Sequence, residues 1–495
     1  MLNRLRFLRL MNRTTLQSLL IIIFSCFLML GCNNKHHSQT VYFGIAQKPQ
    51  TLDPRFSSDA ASERLNNLIY TPLIFFNDDF SISSNILEIN KISSKIFSFT
   101  LKKNPPKFHD GEVMGVDDII ATINHLIGLK TSPFSYDLRE IKQIKKISNI
   151  KFEVYLSASD HNFLTKLSFS ILPKSLIEKD HNFASNPIGS GPFEFLSAKP
   201  NISVRRVLDG QVIEFVEIKD PTVRVLKLVN GEIDILQNDL PLELMNYLME
   251  HDTINCKLTE GVNVSYIGFN FKDPLLKNVK VRQALSLAID RTSIVNYFFN
   301  TKTRLATQIL PPEHWASQDL KMNEYNPSKA REILSEIYPN KLIHLTYKTS
   351  TDPFRLKIAT IIQAQLADVG INLIIKTLDW GTYFSDIQSG NFQLYGLTWV
   401  GIRNPEIYEK IFSSKFIPPL GLNRGGYSDP SMDLYLNEAK MSNDWSDVIH
   451  TAYKKIGYIP LWYEGNFVAH KNYISNFEIY PNGNWDGLTS VRKVL

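Results

Sequence analysis

The sequence predicts a mixed α/β protein that folds into more than one globular region. Its 495 residues are roughly two to three times the length of a usual single domain, so two or three regions are expected. Hydrophobic residues make up 43% and charged residues 21% of the chain, which is typical of globular proteins and excludes wholesale disorder. Short strand-like runs alternate with helical patterns along the chain, and this alternation predicts the mixed class.

The predicted strands are rich in β-branched and aromatic residues. They cover residues 41–46, 95–101, 151–156, 213–218, 263–271, 342–347 and 372–376. Two helical patterns stand out, at residues 279–290 and 354–369, because each places its apolar side chains on one face. Proline and glycine clusters at residues 187–192 and 259–261 predict the points where the chain crosses between lobes.

The first 31 residues form a predicted signal peptide. Four arginines precede an apolar run at residues 19–30, which is too short to span a bilayer stably. The following Gly31-Cys32 pair resembles a bacterial lipobox, so we expect acylated Cys32 to anchor the mature protein to a membrane. Without this basic leader, the 49 acidic residues almost balance the remaining basic ones, which argues against a nucleic-acid-binding surface.

Cysteine and histidine spacing predicts neither a disulfide nor a metal site. Cys256 remains without a partner once Cys26 is removed with the leader and Cys32 is acylated, so we expect a buried thiol there. The sequence His109-Asp-Gly-Glu112 is typical of a turn. The acids of Asp117-Asp118 suit the first turn of a helix.

Several segments, in order, resemble the extracytoplasmic solute-binding proteins of ABC importers, family 5, which includes dipeptide, oligopeptide and nickel binders. The most specific is KIFSFTLKKNPPKFHDGEVMGVDD at residues 95–118. Further matching segments are residues 47–54, 187–193, 230–235, 268–271, 279–291, 363–380, 392–401 and 459–463. The resemblance spans residues 41–488.

The resemblance implies the two-lobed type II periplasmic-binding-protein (Venus-flytrap) fold, with an additional small domain packed on the first lobe. Mapped here, lobe I would be discontinuous, at residues 33–70, 187–262 and 465–495. The additional domain would cover residues 71–186 and lobe II residues 263–464.

The function implied by the resemblance is capture of a peptide-like solute between the two lobes by hinge closure, and its delivery to an ABC permease in the membrane. The protein would be a monomeric lipoprotein on the extracytoplasmic, periplasmic side, with no cofactor. We do not expect an enzyme, because the chain has no G-x-S-x-G elbow, H-E-x-x-H helix or P-loop.

The resemblance places the principal binding residues around Trp399 and Gly401. Peptide binders of the family commonly have a Trp-x-Gly-Asp motif here. Its aspartate meets the ligand's amino group. Here Ile402 replaces that aspartate and Arg403 follows. Arg403 could meet a carboxylate or phosphate, or it could face solvent while another acid binds the amine. The acids considered are Asp352, Asp379 and Glu464.

Four more residues complete the predicted site. Lys348 and Thr349 follow a predicted strand, where relatives often set a basic residue against the ligand carboxylate. Trp380 and Tyr463 would shape side-chain pockets or close the core. Two other functions stay open: a binder of a non-standard cargo, such as a cell-wall peptide, a metal chelate, haem or another anion, and a transport-inactive sensor or interaction protein of the same fold.

Overall fold

The computed structural model describes residues 39–494 except 58, 78, 340 and 419. The predicted signal peptide and Cys32 therefore lie outside the described residues. In the described part of the chain the strands form three sheets of four or more strands and two small sheets of two strands each. Residues Thr40–Val494 form one compact unit. Within the described part of the chain, no helix is both long and apolar enough to cross a membrane.

The strands and helices follow one another as the alternation in the sequence predicts. The strands are β1 (Val41–Ile45), β2 (Phe75–Phe76), β3 (Ile82–Ser83), β4 (Leu87–Ser93), β5 (Ile96–Leu101), β6 (Ile141–Ser148), β7 (Lys151–Leu156), β8 (Phe193–Ser197), β9 (Ile202–Arg206), β10 (Val212–Glu217), β11 (Ile235–Gln237), β12 (Ile254–Thr259), β13 (Val264–Phe269), β14 (Arg304–Leu305), β15 (Ile343–Ser350), β16 (Ile371–Leu378), β17 (Leu394–Trp399), β18 (Ile459–Tyr463), β19 (Asn466–Lys471), β20 (Ile474–Ser475) and β21 (Arg492–Lys493). The helices are α1 (Ala60–Ile69), α2 (Val116–Gly128), α3 (Lys174–Ile177), α4 (Pro221–Val229), α5 (Leu242–Met249), α6 (Val279–Ala288), α7 (Arg291–Phe298), α8 (Pro327–Ile337), α9 (Pro353–Ala367), α10 (Trp380–Ser389), α11 (Ile407–Phe412), α12 (Pro430–Ser442) and α13 (Ser446–Lys454).

The predicted elements are found close to their expected limits. Each of the seven strand-like runs contains a strand, and the two helical patterns are α6 and α9. The predicted apolar face of α6 is buried. Many helices begin at an acidic cap, as α1 does at Asp59, whose carboxylate accepts from the Ser62 amide at 3.0 Å.

The seven-stranded region comprises residues 41–70, 172–259 and 466–493. Its strand order is β12-β19-β11-β1-β10-β9-β8, with β1 parallel to β10 and β11. Trp485 packs against Phe215 and Phe43 in its core, with ring centroids 5.0 Å and 5.4 Å apart. Cys256 is partly buried on β12, and burial raises the pKa of its thiol to about 11, so the thiol stays protonated at neutral pH.

The four-stranded region comprises residues 71–171, with the order β4-β5-β7-β6 and helix α2. After the chain has returned to the seven-stranded region, the Gly191 amide donates to Ile69 O at 2.8 Å. A methyl group on Gly191 would lie 2.5 Å from Leu68 O, so this close approach of two backbones requires glycine. His109 Nε2 contacts Gly191 O at 3.1 Å, which gives the predicted turn a structural role.

The six-stranded region comprises residues 264–463, in the order β14-β18-β13-β17-β15-β16. Helices cover both faces of the sheet and form two apolar cores. The central strand β13 is buried at every residue, as expected for a strand covered on both sides. The chain enters this region between β12 and β13 and leaves it between β18 and β19. The limits of the two lobes and the additional domain stay a prediction.

A buried ion-pair network joins the four-stranded and six-stranded regions. Lys410 Nζ lies 2.7 Å from Asp137 Oδ2. Lys166 Nζ lies 2.6 Å from Asp160 Oδ2 and 3.4 Å from Glu406 Oε1. Three carboxylates thus share two ammonium groups at this contact. The Tyr136 and Phe416 rings, 4.2 Å apart, pack in the same interface.

The excess of carboxylates over ammonium groups affects the protonation of Glu406. Burial raises its pKa to about 7, and the nearby acids add to the effect, although the Lys166 ammonium opposes it. Its Oε1 accepts no hydrogen bond from the described residues. The Glu406 carboxyl group therefore holds a proton up to about neutral pH.

We expect Glu406→Gln to remove part of the pH dependence of stability. The pKa of Glu406 rises from 4.5 to about 7 on folding, so its stabilising contribution is full below pH ~4.5 and is lost as the pH rises through ~7. At pH ~8 the free energy of unfolding of the variant should exceed that of the wild type by on the order of 1–3 kcal/mol, and at pH ~4 the two values should agree.

The measurement is the free energy of unfolding by urea across this pH range. The control is Glu438→Gln, because Glu438 is exposed on α12 and should leave the profile unchanged. Parallel pH profiles for Glu406→Gln and the wild type would contradict the assignment.

Candidate functional site

The candidate site lies where the seven-stranded and six-stranded regions meet. Two crossing segments connect these regions, one between β12 and β13 and the other between β18 and β19. The segments lie side by side, because the Glu464 amide donates to Asn263 O at 2.8 Å. Asn263 also accepts, through Oδ1, from the Gly401 amide at 3.2 Å. The loop after β17, which carries the predicted binding residues, is therefore tied directly to the crossing.

Glu63 faces Gly401 across this contact. Glu63 belongs to the first turn of α1 in the seven-stranded region. A methyl group on Gly401 would lie 3.2 Å from Glu63 Oε1 and 3.4 Å from Oε2. Gly401 also has φ +71°, a left-handed conformation that favours glycine. Both its conformation and the approach of Glu63 thus account for glycine at this position.

The Glu63 carboxylate has no hydrogen-bond donor among the described residues, and no described cation lies within 4.0 Å of it. Burial raises its pKa, and the Arg403 and Arg64 guanidinium groups oppose that shift. Asp59 raises it slightly further. Burial thus disfavours the ionised form of this carboxylate, and a donor would favour it.

Arg64 lies next to Glu63 on α1 and interacts electrostatically with three carboxylates. Burial lowers the pKa of Arg64, whereas Asp239, Glu63 and Glu464 favour its charged form. Its guanidinium lies 5.9 Å from the centre of the Trp485 ring, and its buried Nε has no hydrogen-bond partner among the described residues. One donor of Arg64 is thus left unused.

The predicted binding residue Trp399 is only 8% exposed. Its ring stacks on Tyr266, with centroids 5.4 Å apart and planes at 9°, and the Arg424 guanidinium lies 4.8 Å from its centre. Its buried Nε1 finds no acceptor in the described part of the chain. Trp399 is therefore packed among side chains of the six-stranded region, and its Nε1 atom has no partner among the described residues.

Ile402 and Arg403 differ sharply in their surroundings. Ile402 is buried in an apolar core, so it offers nothing to a charged ligand. Arg403 is partly exposed, and its guanidinium lies 5.8 Å from the Phe76 ring of the four-stranded region. No described acid lies within 4.0 Å of that guanidinium, while the Arg403 backbone oxygen contacts His314 Nε2 at 3.2 Å.

The three acids considered as substitutes for the missing aspartate all have structural partners. Asp352 caps α9 by accepting from the Arg355 amide at 2.8 Å. Asp379 caps α10 in the same way, accepting from the Thr382 amide at 3.1 Å.

Glu464 is the third of these acids, and it lies at the crossing itself. Its Oε1 accepts from Ser265 Oγ at 2.5 Å and from Thr398 Oγ1 at 2.9 Å. These two hydroxyl donors hold the carboxylate against strands β13 and β17.

The four remaining predicted site residues also lie in the six-stranded region. The Lys348 ammonium lies 2.6 Å from Asp386 Oδ2 and also contacts Asn391 O. Thr349 follows it and is buried on β15. Trp380 stacks on Phe384 at the start of α10. Tyr463 is buried, and its hydroxyl donor lies within 2.8 Å of two backbone oxygens, Gln308 O and Leu310 O.

The structure thus places Gly401 and Arg403 where the six-stranded region contacts its neighbouring regions. Trp399 is buried next to them in the six-stranded region. Lys348, Trp380 and Tyr463 have partners within their own region, and their part in binding stays a prediction. Sequence reasoning missed Glu63 and Arg64. A Glu-Arg pair near the start of a helix is typical of an exposed helix, whereas both residues are half-buried here.

No three histidine, cysteine, aspartate or glutamate side chains converge among the described residues as a metal site would require. A cavity inside the six-stranded region is lined by Gln308, Tyr408, Phe412, Tyr458 and Pro460, among others. Its lining includes none of the predicted binding residues.

The chain resembles proteins that bind peptides and a nickel complex. The oligopeptide-binding protein AppA of Bacillus subtilis is 25% identical, over 88% of this chain and 88% of its own length. The structure of AppA from Bacillus subtilis with a nonapeptide has a TM-score of 0.81 at 22% identity, covering 92% of this chain and 99% of that one. NikZ from Campylobacter jejuni with Ni(L-His) has a TM-score of 0.80 at 21% identity, covering 92% and 99%.

These likenesses establish the fold as that of a type II periplasmic binding protein, as the sequence predicts. The family consists of binding proteins of transporters and not of enzymes. Residues 91–414 match the family described as bacterial extracellular solute-binding proteins, family 5. The chain therefore belongs to the extracellular solute-binding proteins of family 5.

Proposed function

We propose that this chain is the substrate-binding lipoprotein of an ABC importer and captures a peptide-like solute between its seven-stranded and six-stranded regions. Hinge closure would trap the solute, and a membrane permease would receive it. The observation that carries the proposal is the set of unused polar groups where these regions meet. They are the Glu63 carboxylate, the Arg64 Nε and the Arg403 guanidinium.

The physical argument rests on differential binding. A solute that contacts both regions gains its full interaction energy only when they are together, so it shifts the protein towards the closed form. Unpaired donors and acceptors that lose water on closure are costly without a solute. A solute that pairs with them removes this cost.

Relatives support a peptide-like cargo, since AppA of Bacillus subtilis is named an oligopeptide-binding protein. Main-chain pairing of an extended peptide, with loosely fitted side chains, would combine affinity with tolerance. The second candidate is a non-standard, anionic cargo. It is favoured by buried Ile402 and by the guanidinium of Arg403, which has no ion-pair partner among the described residues and suits a carboxylate or phosphate.

We expect the protein purified from residue 33 onward to carry solute from its host. Native mass spectrometry before and after mild denaturation should release a ladder of masses that fits short peptides. A matched sample dialysed against denaturant and refolded serves as the empty control. A single non-peptide mass would instead favour the anionic cargo, and failure to bind any member of a peptide library would contradict peptide capture.

We expect Trp399→Phe to weaken peptide binding while leaving the fold intact. Phenylalanine keeps an aromatic ring beside Tyr266 and Arg424 but removes the Nε1 donor, so a lost hydrogen bond should reduce affinity about 3- to 10-fold. The measurement is isothermal titration with the recovered peptides.

The matched control is Trp445→Phe, because Trp445 Nε1 is also buried without a partner in the described residues, in the core of the same region. Equal effects of the two substitutions on affinity would contradict a role of Trp399 in binding.

Trp399→Ala should lower the free energy of unfolding by about 3–5 kcal/mol, because it leaves a cavity.

The membrane anchor would be lipid on Cys32. We expect Cys32→Ser to release the full-length protein from the membrane fraction and to remove the acyl chains from its intact mass, because two or more chains are needed for stable anchoring. The control is Cys256→Ser, which should stay in the membrane fraction. A Cys32→Ser protein that still carries acyl chains would contradict this assignment.

A further inference from the structure

Glu63 is the acid that the contact between regions leaves free. Of the acids in and around the predicted site, Asp352 and Asp379 cap helices, and Glu464 accepts from two hydroxyl groups. The carboxylate of Glu63 has no donor among the described residues. It also comes from the opposite region to Ile402.

The position of Glu63 matches the place where Ile402 leaves the site apolar. Its carboxylate oxygens lie 3.2 Å and 3.4 Å from where a methyl group on Gly401 would be, and Ile402 is the next residue along the chain. The absence of a side chain on Gly401 therefore leaves the space between the two regions open to the carboxylate.

The charged groups around Glu63 carry an excess of negative charge. The groups that interact with Arg64 are the carboxylates of Asp239, Glu63 and Glu464, and Arg403 is the other cation that acts on Glu63. Asp59 also acts on Glu63, so four carboxylates interact with these two guanidinium groups. A ligand that brings a positive charge would reduce this excess of negative charge.

We propose that Glu63 receives a protonated amine of the bound solute, in place of the carboxylate that is missing at Ile402. This assignment rests on the proposed function and names the substrate class: an amine-bearing, peptide-like solute whose ammonium group binds the Glu63 carboxylate beside its contact with Gly401. The solute's amine donates to the Glu63 carboxylate. Arg403 and Arg64 remain available to the acceptors of the same solute.

The test compares two probes on two proteins. The probes are a mixture of synthetic tri- to nonapeptides with free amino termini and the same mixture N-acetylated. The wild type should bind the free mixture about 10- to 100-fold more tightly than the acetylated one, as expected for a hydrogen bond to a charged group. Glu63→Gln should bind both mixtures equally and weakly.

Two further variants separate binding from folding. Glu88→Gln, at an exposed position of β4, should behave as the wild type. Glu63→Asp should keep part of the preference for free amines. The melting temperature of ligand-free Glu63→Gln should equal or exceed that of the wild type, because an amide is cheaper to bury than a carboxylate; a large decrease would indicate a structural role and overturn the proposal.

Two outcomes are decisive against the Glu63 assignment and leave the proposed function standing. One is a Glu63→Gln protein that keeps the full preference for free amines. The other is a wild type that binds both mixtures equally well.

If the wild type binds neither mixture, peptide capture fails, and the solute recovered by denaturation decides the case for Glu63. A recovered solute that reacts with dansyl chloride and is lost from Glu63→Gln supports the assignment. A solute without an amine, one retained equally by Glu63→Gln, or no solute at all overturns it.

Discussion

The pairing of the two crossing segments is the constraint on which the site depends. The chain passes between the seven-stranded and six-stranded regions at Asn263 and again at Glu464, and a backbone hydrogen bond of 2.8 Å joins the two passages. Asn263 also holds the Gly401 loop. Because the loop and the crossing are one hydrogen-bonded unit, the position of Gly401 opposite Glu63 follows from the way the two sheets are connected.

Carboxylates outnumber cations at both contacts between regions. At the contact of the four-stranded and six-stranded regions, Asp137, Asp160 and Glu406 face two lysines. Burial raises the pKa of Glu406 to about 7, so below neutral pH a proton makes up the difference. At the Glu63 contact, two guanidinium groups interact with the carboxylates of Glu63, Asp59, Asp239 and Glu464. At the Glu406 contact a proton offsets the excess of negative charge. At the Glu63 contact we infer that a ligand cation offsets it.

Several residues that attract attention in the sequence turn out to stabilise their own region. The Lys348 ammonium contacts Asp386, and the Tyr463 hydroxyl donates to the backbone. His109 supports the chain at Gly191. A charged or aromatic side chain near a strand end can stabilise its own region or contact a ligand, and the sequence alone does not distinguish these roles. The distinction depends on which partner lies within reach in the folded chain.

The sequence by itself determined the mixed α/β class, the main strands and helices, the family and the loop at Trp399 and Gly401. These features depend on local patterning and on short motifs, which the chain carries directly. Only the tertiary structure decided that Glu63 and Arg64 meet that loop, that Asp352, Asp379 and Glu464 are already engaged, and that Glu406 is buried among other charges. Glu63 and Gly401 are more than three hundred residues apart, and no local pattern encodes a contact that depends on how separate sheets pack together.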